Sequence, residues 1–273
     1  MLYWYIEMAR IIVVIFFLLI VSCDQIAGEI PMNTIVVKIC ESGENFLRRN
    51  KLTDRENVDK QPAGLNFYEH GWSTKTPGKV LVEHGQYSFE IPFALGVTGT
   101  EDTESLVNGI TDFQVRAGIT AADKVLHEEA RQEFIKLLKK LNSLGWKPFV
   151  FYQSPRLSGE NAFKFSQEDG SYGLPLNYFP SLDEWMLIGV GRWYLYADDV
   201  FLKINFRRDR KLMDPAMPGA YLLTFDFQTA IEHAKSEFEG DDRDHWRELW
   251  VDKIKSLKKE RYEKEGELHN RSE

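Results

Sequence analysis

Cysteine is scarce in this sequence, and its scarcity excludes a fold held together by several disulfides. Among 273 residues only Cys23 and Cys40 occur, so the packing of apolar side chains must supply the stability. The 18 Phe, 11 Tyr and 7 Trp residues are ample for that purpose. Cys40 ends a strand-like run, where we expect a small buried residue rather than a reactive thiol.

Positive charge is in deficit. The chain has 34 lysine and arginine residues against 42 aspartate and glutamate residues, which gives a formal net charge of −8. Binding to nucleic acid requires a basic surface, so we predict no nucleic-acid partner. An acidic surface favours a basic protein partner or serves solubility, and the sequence leaves both open.

Motifs of the common enzyme classes are also missing. No G-x-S-x-G occurs, and His127–Arg131 departs from H-E-x-x-H at its last position. Gly71–Val80 imitates a phosphate-binding loop, but its glycines are too far apart and Val80 replaces the Ser or Thr that holds Mg²⁺. Gly189–Gly191 lacks the third glycine of a dinucleotide fingerprint. We therefore predict no cofactor, and we favour a protein without catalysis.

Four residues remain as weak candidates for a metal or acid/base site. His70 and His84 come from segments that a hairpin could bring face to face, and each follows a glutamate, Glu69 or Glu83. Imidazole and carboxylate together suit either chemistry. The alternative is that all four are surface residues in turns. The pair Asp198–Asp199 lies between two predicted strands and is interpreted as a turn.

One long apolar run occurs, over residues Ile11–Val21. As a helix these eleven residues would cover about 16 Å, which is too short for a hydrocarbon core of about 30 Å. Arg10 precedes the run and the small residue Ser22 follows it, as in a cleavable signal peptide. The alternative is an uncleaved membrane helix over residues 2–21.

The end of this run carries a second pattern, the sequence Ile-Val-Ser-Cys over residues Ile20–Cys23. It resembles the lipobox of bacterial lipoproteins. The resemblance implies a diacylglycerol on the Cys23 thiol, cleavage before Cys23 and acylation of the new amino terminus, which makes the lipid bilayer the first partner of the chain. Asp24 resembles the residue that retains lipoproteins in the inner membrane, on its periplasmic face.

The composition changes beyond the leader. We expect a signal peptide over residues 1–22, the lipidated cysteine and a tether over residues 23–33, and one globular domain over residues 34–273. A division of that domain into two subdomains near residues 154–180 stays open. Removal of residues 1–22 takes away one acid and one base, so the mature chain keeps the net charge of −8.

Hydrophobic periodicity in the domain predicts both strands and helices. Helices are predicted over residues 121–144 and 241–265, whereas residues 41–78 are predicted to be largely irregular. Strands are predicted over residues 35–40, 80–83, 87–93, 111–117, 149–153, 192–197, 200–206 and 221–227. This order of elements predicts an α+β fold with a largely antiparallel sheet and helices packed on one face.

Three functional classes remain. The anchor, the acidic charge and the missing motifs favour a non-catalytic protein-binding module at the membrane. An immunity protein that neutralises an antibacterial effector, of the kind delivered by type VI secretion, belongs to this class. The alternatives are an envelope hydrolase with a carboxylate pair that acts on cell-wall glycan, and a structural or assembly lipoprotein of an envelope complex.

Substitution of Cys23 by serine tests the predicted anchor. Because the acyl chains would be attached through the Cys23 thiol, we expect Cys23→Ser to accumulate as an unprocessed precursor and globomycin to block processing of the natural chain. Membrane fractionation and mass spectrometry measure both effects. Unchanged processing and membrane association of Cys23→Ser would contradict the lipoprotein prediction.

Overall fold

The computed structural model describes residues 33–272, which belong to one compact unit. The predicted signal peptide, Cys23 and Asp24 lie outside the described residues. None of the helices within residues 33–272 is long and apolar enough to cross a membrane.

The described part of the chain contains twelve strands and seven helices. The strands are β1 (Thr34–Val37), β2 (Val58–Gln61), β3 (Leu65–Gly71), β4 (Gly78–Val82), β5 (Phe89–Asp102), β6 (Ile110–Ala117), β7 (Val125–Leu126), β8 (Lys147–Pro148), β9 (Val190–Ala197), β10 (Val200–Arg208), β11 (Pro218–Gly219) and β12 (Tyr221–Thr229). The helices are α1 (Gly43–Asn50), α2 (Asp54–Asn57), α3 (His127–Ser143), α4 (Gly159–Glu168), α5 (Leu182–Leu187), α6 (Ala230–Lys235) and α7 (Trp246–Ser272).

Ten of these strands form one sheet in the order β1-β4-β5-β6-β12-β10-β9-β8. The long strand β5 pairs with β4 over its first part and with β3 over its second part, and β3 carries β2 on its other side. Among the described strands only β1 and β4 pair in parallel. The predicted α+β fold with a largely antiparallel sheet is therefore confirmed.

Alternation along the strands divides the sheet into two faces. On β10 the residues Val200, Leu202, Ile204 and Phe206 are buried, and the residues between them are partly exposed. Successive side chains of a strand point to opposite faces, so one face forms the core and the other carries the partly exposed residues. We call the second face the open face.

The core forms between the buried face and helix α3. Phe134 of α3 lies with its ring centroid 4.5 Å from that of Trp193 on β9 and 6.2 Å from that of Phe206 on β10. On the same face, Phe46 of α1 lies 5.6 Å from Phe113 of β6. Aromatic rings at these spacings contribute both buried area and ring-to-ring attraction. Apolar packing of this kind takes the place of disulfides.

Two predicted elements are wrong because tertiary pairing overrides the local pattern. The helix predicted from residue 121 begins at His127, since Val125–Leu126 instead pairs with Pro218–Gly219. The strand predicted over residues 149–153 is replaced by the short β8, which ends at Pro148. Local capping and apolar signals cannot report either pairing, because both partners of each pair lie far apart in the sequence.

The segment 41–78, predicted to be largely irregular, contains α1, α2, β2 and β3. The Ser42 hydroxyl accepts a hydrogen bond from the Asn45 backbone N–H at 3.4 Å and caps α1. Tyr68 of β3 donates to the buried Glu101 carboxylate at 2.6 Å. These short elements carry little apolar periodicity of their own, so contacts with the rest of the sheet hold them.

Cys40 corrects another expectation. Its side chain is exposed, whereas a buried residue was predicted. The residue lies in a turn with φ of 65°, and its N–H donates to the Ile110 carbonyl at 2.9 Å. A positive φ is uncommon for residues other than glycine, so the backbone turn moves the side chain away from the core.

The sheet edges are occupied in three different ways. At β1 the Asn50 amide bonds the Val36 backbone on its free side, with N–H···Oδ1 at 2.7 Å and Nδ2–H···O at 2.9 Å. At the opposite end, β8 has two residues, Lys147 and Pro148. The edge strand β2 presents the exposed charges of residues 59 and 60.

Truncation of Phe134 tests the α3–sheet core. Because the side chain is only 1% exposed, we expect Phe134→Ala to lower the free energy of unfolding by about 3 to 5 kcal/mol. Val251→Ala, at a side chain 73% exposed on α7, is the matched control and should change it by less than about 0.5 kcal/mol. Urea denaturation followed by circular dichroism measures both, and equal losses in the two variants would contradict this core.

Candidate functional site

The structure does not bring the four weak candidates together. Glu69 and His70 are neighbours on β3 and therefore point to opposite faces of the sheet. His70 on β3 pairs with Val97 of β5. His84 follows β4, whose last residue, Val82, pairs with Phe89 of the same strand β5. Eight residues of strand separate these positions of β5, which corresponds to about 27 Å.

Each candidate has its own local contacts. Glu83 forms ion pairs with Lys38 at 3.2 Å and with Arg49 at 2.9 Å. The His84 Nε2 atom lies 3.0 Å from the Ala197 carbonyl oxygen, and the His70 ring packs edge-on against Trp72 at 4.7 Å. Within residues 33–272 no group of three or more His, Cys, Asp and Glu residues is arranged to hold a metal ion.

The prediction of a turn at Asp198–Asp199 is confirmed. These two residues join β9 to β10, and Asp198 has a φ of 49°. The Tyr87 hydroxyl donates to the Asp198 carboxylate at 3.2 Å. Aspartate tolerates this backbone conformation better than most residues do, so both positions serve the hairpin.

A cleft of about 630 Å³ lies on the open face. The strand register places the residues of its floor in two rows that run across the sheet. The first row is Phe67, Thr100, Asp112, Gln228 and Phe201, on β3, β5, β6, β12 and β10. The second row is Thr98, Gln114, Asp226, Lys203 and Tyr194, on β5, β6, β12, β10 and β9. We call this concave region the cleft.

Aromatic rings form one wall of the cleft. The Phe149 N–H donates to the Tyr194 carbonyl at 2.7 Å, which fixes the segment after β8 against the sheet. The Phe149 ring meets Phe201 edge-on at 4.9 Å, and His233 of α6 stacks on Phe201 at 3.9 Å. Burial lowers the pKa of His233 to about 4, so this imidazole is neutral at pH 7.

Helix α7 holds the same wall from behind. Arg261 donates to the Phe151 carbonyl at 2.7 Å, and the Trp250 ring lies 5.9 Å from that of Tyr152. Residues 149–153 therefore have fixed positions although they belong to no strand. A rigid wall of this kind is preorganised for binding.

The polar floor contains two carboxylates in different surroundings. Asp226 is satisfied: Lys203 lies 3.2 Å away, and the Gln114 and Asn205 amides donate to it at 2.9 and 3.0 Å. One charge of each sign is thereby neutralised inside the cleft. Asp226 also has a fixed orientation, because both of its oxygens accept hydrogen bonds.

Asp112 lacks such a partner. The Thr111 hydroxyl donates to it at 2.8 Å and the Gln228 side chain is also hydrogen-bonded to it. Burial raises the pKa of the Asp112 carboxyl, and the negative charge of Glu232 raises it further. The positive charge of Arg243 lowers the pKa from a distance, and this guanidinium and Lys235 both pair with Glu232, at 3.3 and 2.5 Å. A half-buried acid without a cationic partner in a cleft is a candidate functional group.

Reasoning from the sequence missed Asp112, Asp226 and Lys203. All three occupy polar positions in the alternating strands β6, β12 and β10, where a charged residue is ordinarily a solvated surface residue. The available signal was the recurrence of charge at such positions in neighbouring strands. It becomes informative only once the order and the register of the strands are known.

Comparison with known proteins gives no assignment. No family model matches the chain, and no curated protein or solved structure matches it.

A second acid, Glu41, has a structural role beside Glu83. Its side chain is only 7% exposed, and burial raises the pKa of its carboxyl to about 7. Arg49 at 3.0 Å and the Lys38 N–H at 3.1 Å oppose that effect without cancelling it. An acid whose pKa is raised on folding stabilises the fold while it is protonated and loses that contribution as the pH rises.

The pH dependence of stability tests this assignment. As the pH rises from about 4.5 to above about 7, the natural chain should lose up to about 3 kcal/mol of stability relative to Glu41→Gln. The exposed substitution Glu129→Gln on α3 should keep the pH profile of the natural chain. Urea midpoints measured across this pH range give the comparison, and parallel profiles for the natural chain and Glu41→Gln would contradict it.

Proposed function

We propose that this chain is a membrane-anchored periplasmic lipoprotein that binds a basic protein in the cleft of its open face. The binding is non-catalytic. Within this class we favour an immunity protein that neutralises an antibacterial effector of the type VI secretion kind. The observation that carries the proposal is Asp112, a carboxyl without a cationic partner in an aromatic-walled cleft.

Charge supports a basic partner on two scales. The whole chain has a net charge of −8, which attracts a basic partner over long range and speeds association. Inside the cleft, Lys203 pairs with Asp226, so the charge of Asp112 is left in excess. A basic surface that enters the cleft would neutralise it.

The shape of the cleft supports binding of a protruding segment rather than of a flat surface. A volume of about 630 Å³ lies within the range of sites that enclose a small molecule or a few side chains. Partly exposed aromatic rings along its wall are of the type enriched at the centres of interfaces. The lipobox and Asp24 support a location at the membrane, where such a protein would meet an incoming effector.

A second candidate function is hydrolysis of cell-wall glycan, and one observation favours it. Asp112 and Asp226 lie diagonally across β6 and β12, so their Cα atoms are about 7 to 8 Å apart. In that mechanism Asp112, with its raised pKa, would be the general acid and Asp226 the nucleophile or base. The pairing of Asp226 with Lys203 is less favourable to this function, because it weakens the nucleophile.

Deletion of the gene followed by co-culture with sibling cells tests the proposal. We expect deletion to reduce survival, and the natural chain and Glu129→Gln to restore it. Asp112→Asn should restore it poorly, because capture of the product of a neighbouring gene should weaken by about tenfold or more. Thermal melting confirms that the variants are folded.

Two results would contradict protein binding. One is unchanged survival after deletion together with no partner recovered from the neighbouring gene products. The other is release of fragments from purified peptidoglycan by the natural chain and not by Asp112→Asn or Asp226→Asn. The second result would establish the hydrolase instead.

A further inference from the structure

We propose that the cleft recognises an arginine side chain of its partner, with the guanidinium paired to Asp112 and lying along the row between Phe67 and Phe201. This inference rests on the proposed function and names the group that the site would accept. A guanidinium is favoured over an ammonium ion by the charge, the spacing and the shape of the row.

The charge in the cleft calls for one cation. Asp226 is already neutralised by Lys203 at 3.2 Å. Asp112 receives only neutral hydrogen-bond donors, from Thr111 and Gln228. His233 on the wall is held neutral by burial and does not compensate. A single positive group beside Asp112 would therefore balance the site.

Two phenylalanine residues flank Asp112 along the first row of the cleft. Along the first row, Phe67 and Phe201 each lie two strands away from Asp112, on opposite sides. Two strand spacings correspond to about 10 Å. Both rings line the cleft. A cation paired with Asp112 thus lies between two aromatic residues, of which Phe201 already carries His233 stacked on its ring at 3.9 Å.

Planarity distinguishes arginine from lysine here. A guanidinium presents a flat face that stacks on a ring while its edge donates to a carboxylate, whereas an ammonium ion does one or the other. Thr100 and Gln228 flank Asp112 in the row, and their side-chain oxygens can accept the remaining N–H groups of a guanidinium. A lysine ammonium group has its three donors on one nitrogen atom and has no flat face, so it would not contact the carboxylate, the ring and the flanking acceptors together.

Titration with capped amino acids tests the inference in the absence of any partner. The probes are Nα-acetyl-arginine methylamide, the corresponding citrulline compound, which has the same shape without the charge, and the lysine compound. Binding to the ¹⁵N-labelled domain is followed through the amide signals of residues 112 and 228. We expect binding of the arginine probe, weaker binding of the lysine probe, and no binding of the citrulline probe.

Three variants locate the site. Asp112→Asn should weaken binding of the arginine probe about tenfold or more, and Phe67→Leu should weaken it about two- to fivefold through the lost ring face. Glu129→Gln, which removes one exposed charge from α3, should leave it unchanged. The melting temperature of each variant, compared with that of the natural chain, distinguishes loss of binding from loss of the fold.

The outcomes separate this inference from the proposed function. Equal binding of the arginine and citrulline probes, or equal binding by the natural chain and Asp112→Asn, would overturn the inference even if a partner protein is captured. Arginine-specific binding at Asp112 in a chain whose deletion leaves survival unchanged would retain the guanidinium site and reject the proposed function. Binding of a glycan fragment in place of the arginine probe would also overturn the inference.

Discussion

The contact of α3 with the buried face of the sheet is the interaction on which the rest of the structure depends. Phe134 lies against Trp193 and Phe206 there, and no disulfide reinforces the domain, because Cys40 is the one cysteine in it. The other face is covered in part, where Phe149 and His233 of α6 pack on Phe201, and elsewhere carries groups that tolerate water. The cleft lies on this open face.

Strand register converts this packing into a site. Asp112 and Asp226 are 114 positions apart in the sequence, yet they are diagonal neighbours because β6 pairs with β12. A slip of one residue in that pairing would invert the shifted strand: on β6 it would turn Asp112 into the core and Phe113 out, and on β12 it would do the same to Asp226 and Phe227. The apolar residues that hold the register therefore also position the charges opposite them. The alternation of apolar and polar residues along these strands therefore forms both the core and the floor of the cleft.

The same alternation explains which features could be predicted from the sequence. Strands β6, β10 and β12 each carry several apolar residues at a period of two, and all were predicted. The start of α3 was not, because pairing of Val125 with Gly219 takes this segment out of the helix that the local pattern predicts from residue 121. The elements of residues 41–78 were missed because the burial of Phe46 and Tyr68 depends on distant strands, as in the contact of Phe46 with Phe113 of β6.

The candidate site was harder to predict than the fold. Glu69, His70, Glu83 and His84 attracted notice as two adjacent pairs, but neighbours on a strand diverge, and the register sets the two pairs far apart. The groups that do converge are isolated charges on strands β6, β10 and β12. Their convergence is a property of strand order, which local patterns do not contain.

The structure of the sheet edges affects how readily neighbouring copies of the domain could associate at a membrane surface. An exposed strand edge is a template on which another chain can polymerise, and lipid-anchored molecules would be confined to two dimensions where encounters are frequent. Asn50 occupies the backbone groups that Val36 of β1 would otherwise offer, while Pro148 shortens β8 and charges line β2. On a lipid-anchored chain, these three edges would oppose edge-to-edge pairing between neighbouring copies.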